Sequence, residues 1–219
     1  MRETKEQTRV RARKIIANLK KAYRKPKTAL EFGDPLQLLI ATILSAQCTD
    51  EQVNKVTPLL FRKYPNVKNI ADADPREFER DIYSTGFYKN KTKNIIACCQ
   101  VLLERHQGKV PNTMAELVDL PGVGRKTANC VLGAAFGIQS GIVVDTHVMR
   151  LAGRMGLSKQ NDPIKIERDL MVLVPQAEWY DFSNILILHG RKVCDARKPL
   201  CSVCVIKRHC PSAKKFSTS

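Results

Sequence analysis

Leu120-Pro121-Gly122-Val123-Gly124-Arg125-Lys126-Thr127-Ala128 is the stretch that decides the fold. An apolar helical turn runs up to Asp119, two glycines make a tight turn, and a second helix starts at Lys126 and continues to about residue 137. Glycine allows a positive φ and lets another backbone come close. The first amides of the second helix have no partner within it and point outward, which makes them a ready anion site. Lys126 stands in that first turn, at the positive end of the helix dipole, where a charged ammonium is disfavoured. A helix built only for stability would carry Asp or Glu there. Taken alone, the pattern also fits an ordinary helix–turn–helix corner.

The anion follows from the charge. Thirty-seven Lys and Arg against 21 Asp and Glu give a formal charge of +16 over 219 residues. Such an excess points to a polyanion, with nucleic acid ahead of a membrane surface. With 43% hydrophobic and 26% charged residues the chain is globular rather than disordered, and it is long enough for a sizeable core. No apolar run reaches membrane-spanning length. Residues 1–14 are basic but contain Glu3 and Glu6 and no apolar core, so they do not read as a signal peptide. The short N-terminus reads as microbial and cytosolic, so the expected location is cytoplasmic (prokaryotic, nucleoid-associated), and a monomer is the default expectation.

Outward from the hairpin the chain reads as helix after helix, without a period-2 strand pattern. Asp34-Pro35, Asp74-Pro75 and Asp162-Pro163 mark helix starts, because Asp caps free amides and Pro is tolerated in the first turn. Residues 2–24 predict a basic amphipathic helix with Val10, Ile15, Ile16, Leu19 and Tyr23 towards one side. Residues 35–45 predict a strongly apolar helix, followed by the polar junction Ser45-Ala46-Gln47-Cys48-Thr49-Asp50. Residues 86–91 read as a loop with adjacent aromatics, Phe87 and Tyr88, and three nearby lysines, Lys89, Lys91 and Lys93. Residues 140–144 read as extended, and Asp145 as the cap of the following helix.

Eight cysteines need an explanation. Cys48, Cys98, Cys99 and Cys130 are scattered in apolar surroundings. Cys194, Cys201, Cys204 and Cys210 cluster with a C-x6-C-x2-C-x5-C spacing. A secreted disulfide scaffold would be smaller and would spread its cysteines evenly. Four thiolates so close in sequence can close round one metal centre. Zinc is the generic alternative, but zinc sites usually pair two C-x2-C knuckles and only one is present. Arg197, Lys198, Lys207 and Arg208 flank the cysteines and either compensate the thiolates or meet phosphate.

The hairpin, the Val143-Val144-Asp145-Thr146-His147-Val148 segment, the junction at residues 44–50 and the cysteine spacing together resemble the helix-hairpin-helix DNA glycosylase/abasic-site lyases. The resemblance spans nearly the whole chain, and its hairpin and cysteine blocks are the specific ones. It implies an all-α, two-lobed fold: a contiguous helical domain over residues 30–140, and a second domain over 141–219 joined by the N-terminal segment 1–29. It also implies a [4Fe-4S] cluster on Cys194, Cys201, Cys204 and Cys210, structural because protein fills every position. Lys126 falls on the lysine that serves as nucleophile in the bifunctional branch, and relatives that only remove the base lack it. Without the resemblance, a surface or phosphate-binding lysine is the commoner reading. Asp145 falls on the catalytic aspartate, although its residues alone read as a helix cap.

The same resemblance makes Gln47 the residue that fills the gap left by a flipped nucleotide, and Phe87 a wedge where relatives commonly carry leucine. A core aromatic is the alternative for Phe87. Gly122, Gly124, Arg125 and His147 become DNA contacts, though His147 also suits a packed helix, and Asp50 reads either as a pocket-side acid or as a cap. The implied function is base-excision repair of double-stranded DNA: removal of oxidised pyrimidines followed by strand cleavage at the abasic site through a lysine Schiff base. A monofunctional mismatch or adenine-type glycosylase, a non-catalytic DNA-binding module and a zinc-binding structural protein are the alternatives.

Overall fold

The computed structural model describes residues 3–24 and 26–216, and among them there is no β-strand. The all-α expectation holds. The helices are α1 (Lys5–Ala22), α2 (Pro35–Leu44), α3 (Asp50–Lys63), α4 (Val67–Ala71), α5 (Pro75–Ile82), α6 (Tyr88–His106), α7 (Met114–Val118), α8 (Arg125–Phe136), α9 (Thr146–Arg154), α10 (Pro163–Leu173), α11 (Trp179–Lys192) and α12 (Ala213–Phe216), with short 3₁₀ turns between some of them. Side-chain caps start most of the long ones. Asp34, Thr49, Asp74, Thr113, Asp145 and Asp162 each accept an amide from the first turn of the helix they precede.

The chain divides into two compact units, Thr28–Ile138, and Met1–Lys27 with Gln139–Ser219. In the first, α2 is the core helix. Leu38, Leu39, Ile40, Ala41, Ile43 and Leu44 are all buried, so α2 is covered nearly all round. It packs on α8, α3 and α6, while α6 packs on α4 and α5. Between α7 and α8 lies the glycine turn.

In the second unit α1 buries Ala12, Ile15, Ile16 and Leu19, a stripe at helical spacing, among side chains of α9, α10 and α11. Val10 is not part of that stripe. It is 42% exposed, because its position turns it away from the Ile15–Leu19 face. The loop expected over residues 86–91 is also corrected. It ends at Phe87, and α6 begins at Tyr88.

Candidate active site

The turn between α7 and α8 is closed by Leu120 and Val123, whose amides donate to Leu117 O (3.2 Å) and Leu120 O (3.1 Å). Its two glycines are needed for different reasons. Gly122 has φ +76°, and a Cβ there would stand 2.8 Å from Asn94 Cβ on α6. Both conformation and packing demand glycine. Gly124 is the extended N-cap of α8 (φ −91°, ψ 173°), and a Cβ there would meet nothing within 4 Å. Packing does not require it, and the space over the first turn of α8 is open. No side chain caps that turn.

Lys126 is the second residue of α8 and is exposed, while Arg125 is half-buried. The opposite face, with Ala128, Val131 and Leu132, is buried and fixes the rotation of the helix. One turn beyond Lys126 lies Cys130, which accepts a hydrogen bond from the Thr42 hydroxyl at 3.9 Å. Burial pushes its thiol up. The Lys126 charge opposes that shift and the Asp50 charge adds to it, so Lys126 and Asp50 both act on the same sulfur. Cys130 carried no sequence signal beyond its four-residue spacing from Lys126, and Thr42 carried none.

Gln47 and Phe87 share an unusual backbone. Both lie in the left-handed region, at φ +54° and +49°, where a non-glycine residue is uncommon. Among the described residues only Gln107 joins them, at the C-terminus of α6, where such a conformation is routine. Gln47 is exposed, and Phe87 is 63% exposed, which removes the core-aromatic alternative. Lys91, which the sequence placed in a basic loop, is instead buried at 4% exposure. Its ammonium donates to Leu44 O (2.7 Å) and Thr85 O (2.8 Å), and burial holds it below the usual lysine range.

Asp145 caps α9. Its Oδ1 accepts the Val148 amide at 2.8 Å, so the structural role read from sequence is real. The residues before it, Ile142, Val143 and Val144, are buried, and the Val143 amide donates to the Ser183 hydroxyl at 2.9 Å. His147 is half-buried, with Nδ1 3.1 Å from Arg150 Nη2. The guanidinium can only donate, so Nδ1 accepts and the ring proton sits on Nε2. Burial pushes His147 down and Asp145 opposes that. Arg150 also donates to Gly190 O and Cys194 O, both at 3.0 Å. A Cβ on Gly190 would approach His147 Nδ1 to 2.9 Å, so that glycine makes room for the pair.

Cys194, Cys201, Cys204 and Cys210 all line one cavity, together with apolar Met155, Leu200 and Ile206. Arg154 holds the loop at its start, donating to Asp195 O (2.6 Å), Ala196 O (2.6 Å) and Cys194 Sγ (3.3 Å). His189, which sequence reasoning missed, lies with Nδ1 2.9 Å from the Tyr23 hydroxyl and Nε2 3.5 Å from Cys204 Sγ. Burial pushes it down to about 4, so it is neutral at ordinary pH. Among the described residues no three His, Cys, Asp or Glu side chains are grouped closely enough to hold one metal ion. Arg197, Lys198, Lys207 and Arg208 are exposed. No helix among the described residues is long and apolar enough to cross a membrane.

Residues 40–176 match the family model of the HhH-GPD superfamily base excision DNA repair protein. An endonuclease III from Synechocystis sp. (strain ATCC 27184 / PCC 6803 / Kazusa) is 56% identical over 204 residues, covering 93% of this chain and 93% of the relative. A solved non-covalent complex of endonuclease III with DNA superposes with a TM-score of 0.92 at 39% identity, over 96% of this chain and 99% of that one. A trapped covalent endonuclease III–DNA intermediate gives 0.90 at 40% identity, over 94% and 97%. The chain belongs to the endonuclease III family of helix-hairpin-helix base-excision DNA repair proteins.

Proposed function

We propose that Lys126 is the nucleophile and Asp145 the acid–base carboxylate of this chain, acting on oxidised pyrimidines in double-stranded DNA. The activity is that of a bifunctional DNA glycosylase and abasic-site lyase. The observation that carries the assignment is the exposed Lys126 amine in the uncapped first turn of α8, beside the open space over Gly124. A phosphate in that space accepts outward-pointing amides and brings the deoxyribose to the helix end.

The neutral Lys126 amine attacks the anomeric carbon, the N-glycosidic bond breaks, and the base leaves with its electron pair and takes up a proton. Nitrogen then loses a proton as the sugar ring opens to a Schiff base. Loss of a proton from the adjacent carbon expels the 3′ phosphate and nicks the strand. Asp145 carries the proton away from the amine and opposes the positive charge that grows on the sugar as the base departs. Its cap bond uses Oδ1, so both roles fit one side chain. Gln47 and Phe87 are read as gap filler and wedge, Gly122, Gly124 and Arg125 as the phosphate-binding turn, and His147 as a backbone contact. A chromosomal substrate puts this reading in the bacterial cytoplasm, with one copy sufficient for the reaction.

The cysteine cavity fits a [4Fe-4S] cluster. The donors are four soft thiols that line one cavity with apolar cover. A lone zinc ion would draw its thiolates to about 2.3 Å from one centre, whereas a cluster seats each thiolate on its own iron. Bound there, the cluster supplies a structural anchor for the loop, and Arg197, Lys198, Lys207 and Arg208 are left facing phosphate.

Borohydride trapping tests the assignment. Wild type and Lys126→Ala are mixed with a duplex containing an oxidised pyrimidine and with an abasic-site duplex. Wild type alone should give the covalent adduct, with binding retained by the variant. Trapping only on the abasic duplex would keep the chemistry and reject the lesion. An adduct with Lys126→Ala would remove Lys126 from the mechanism. No adduct with wild type on either duplex would favour base removal without a Schiff base, or binding alone.

A further inference from the structure

We propose that Lys91 is a positioning residue that fixes Gln47 and Phe87 in their DNA-inserting geometry, an assignment that rests on the gap-filler and wedge reading above. Its ammonium joins two turns that are far apart in sequence. Leu44 O, at the end of α2, precedes the Gln47 turn, and Thr85 O, at the end of the Tyr83–Thr85 3₁₀ turn, precedes Gly86 and Phe87. A cation suits both places, because each carbonyl ends a helical segment.

The turns need such a clamp. Gln47 and Phe87 each hold a left-handed backbone, which a side chain with a Cβ disfavours. Strain of that kind persists only where the surroundings over-determine it. No side chain caps α6 behind Phe87. A further bond, Gln52 Nε2 to Ser84 Oγ at 2.8 Å, lies on the exposed side and runs from α3 rather than from the Gln47 turn. Lys91 is a buried link that bonds a carbonyl of each segment.

The lysine does not touch the reacting sugar, so its loss should act through Gln47 and Phe87. The test is a mutant cycle of Lys91→Met, the Gln47→Ala/Phe87→Ala pair, and all three together. Two readouts are taken: single-turnover nicking of an abasic-site duplex, and fluorescence of 2-aminopurine opposite a non-cleavable tetrahydrofuran site. The paired alanine variant is expected to lose the fluorescence change and to nick about tenfold more slowly. Lys91→Met should reproduce most of both effects, yet add less than about twofold when combined with the pair. Lys91→Arg, which keeps donors for both carbonyls, should recover much of the fluorescence change. If Lys91→Met does not fold, Lys91→Gln, whose shorter amide reaches one carbonyl at a time, runs the same cycle. Wild-type behaviour of the Lys91 variant, or equal slowing in both backgrounds, would overturn the proposal and leave Lys91 a structural lysine. Wild-type behaviour of the paired alanine variant would instead overturn the wedge reading, and the Lys91 role with it.

Discussion

Replacing Gly122 by alanine is expected to cost about 3 kcal/mol of folding stability, while the same change at Gly124 should leave folding nearly intact. At Gly122 two penalties combine. Holding alanine at φ +76° costs roughly 1–2 kcal/mol. The new methyl would lie 2.8 Å from Asn94 Cβ, an atom fixed to the α6 backbone that cannot swing aside, and such overpacking costs roughly 1–3 kcal/mol. For a chain of this size the sum lowers the melting temperature by roughly 6–12 °C. At Gly124 the backbone is extended and the space is empty, so loss of a good cap residue and gain of chain stiffness nearly cancel, within about 0.5 kcal/mol. That methyl would, however, stand in the space proposed above for phosphate over the amides of α8. Gly124→Ala should bind an abasic-site duplex at least about tenfold more weakly by fluorescence anisotropy. Thermal melts and anisotropy on the two variants separate turn-building from anion-binding. A Gly122→Ala protein that melts with wild type would refute the steric reasoning, and a Gly124→Ala protein with wild-type affinity would refute the anion site.

Asp145→Asn keeps an acceptor for the Val148 amide and should melt near wild type while base release slows strongly; Asp145→Ala should lose about 1 kcal/mol as well. Normal base release by the asparagine variant would reduce Asp145 to a cap. Cys204→Ser should lower iron and acid-labile sulfide per chain, and an unchanged metal content with an unchanged melt would reject it as a ligand. Burial pushes the Cys98 thiol up to about 12 and the Cys99 thiol up as well, so little thiolate forms at pH 8. Both should resist iodoacetamide in the folded protein and react in urea, as peptide mass mapping would show; labelling without denaturant would contradict their burial. DNA binding should weaken steeply with salt as phosphate contacts release counterions, and a flat log–log plot would argue against a backbone-dominated interface.

Helix starts were legible because their signals are local. An Asp or Thr before the first turn reaches an amide three residues away, and neither tertiary packing nor a partner is needed for that. The same locality explains the misses. Phe87 caps α6 with a left-handed backbone and no side-chain bond, so nothing in Gly86-Phe87-Tyr88 announces a helix start. Lys91 lies between two other lysines and differs from them only through carbonyls 47 and 6 residues away, which composition cannot reveal. Tyr23 and His189, 166 residues apart, meet only because α1 packs on α11. Lys126 and Asp145 were named through a motif rather than through their local chemistry, which on its own favoured a phosphate-binding lysine and a cap.

The unit that holds the cysteines is discontinuous, with α1 supplying part of its core and the rest arriving after residue 138. During synthesis, at about 5–20 residues per second, the segment 28–138 can complete its own core while Ile15, Ile16 and Leu19 still lack their partners. For those seconds α1 is an apolar surface without cover, because Leu186 and Ile206 of the same core are made later. A stall soon after residue 138 therefore leaves a finished first unit tethered to a second one whose core is still incomplete.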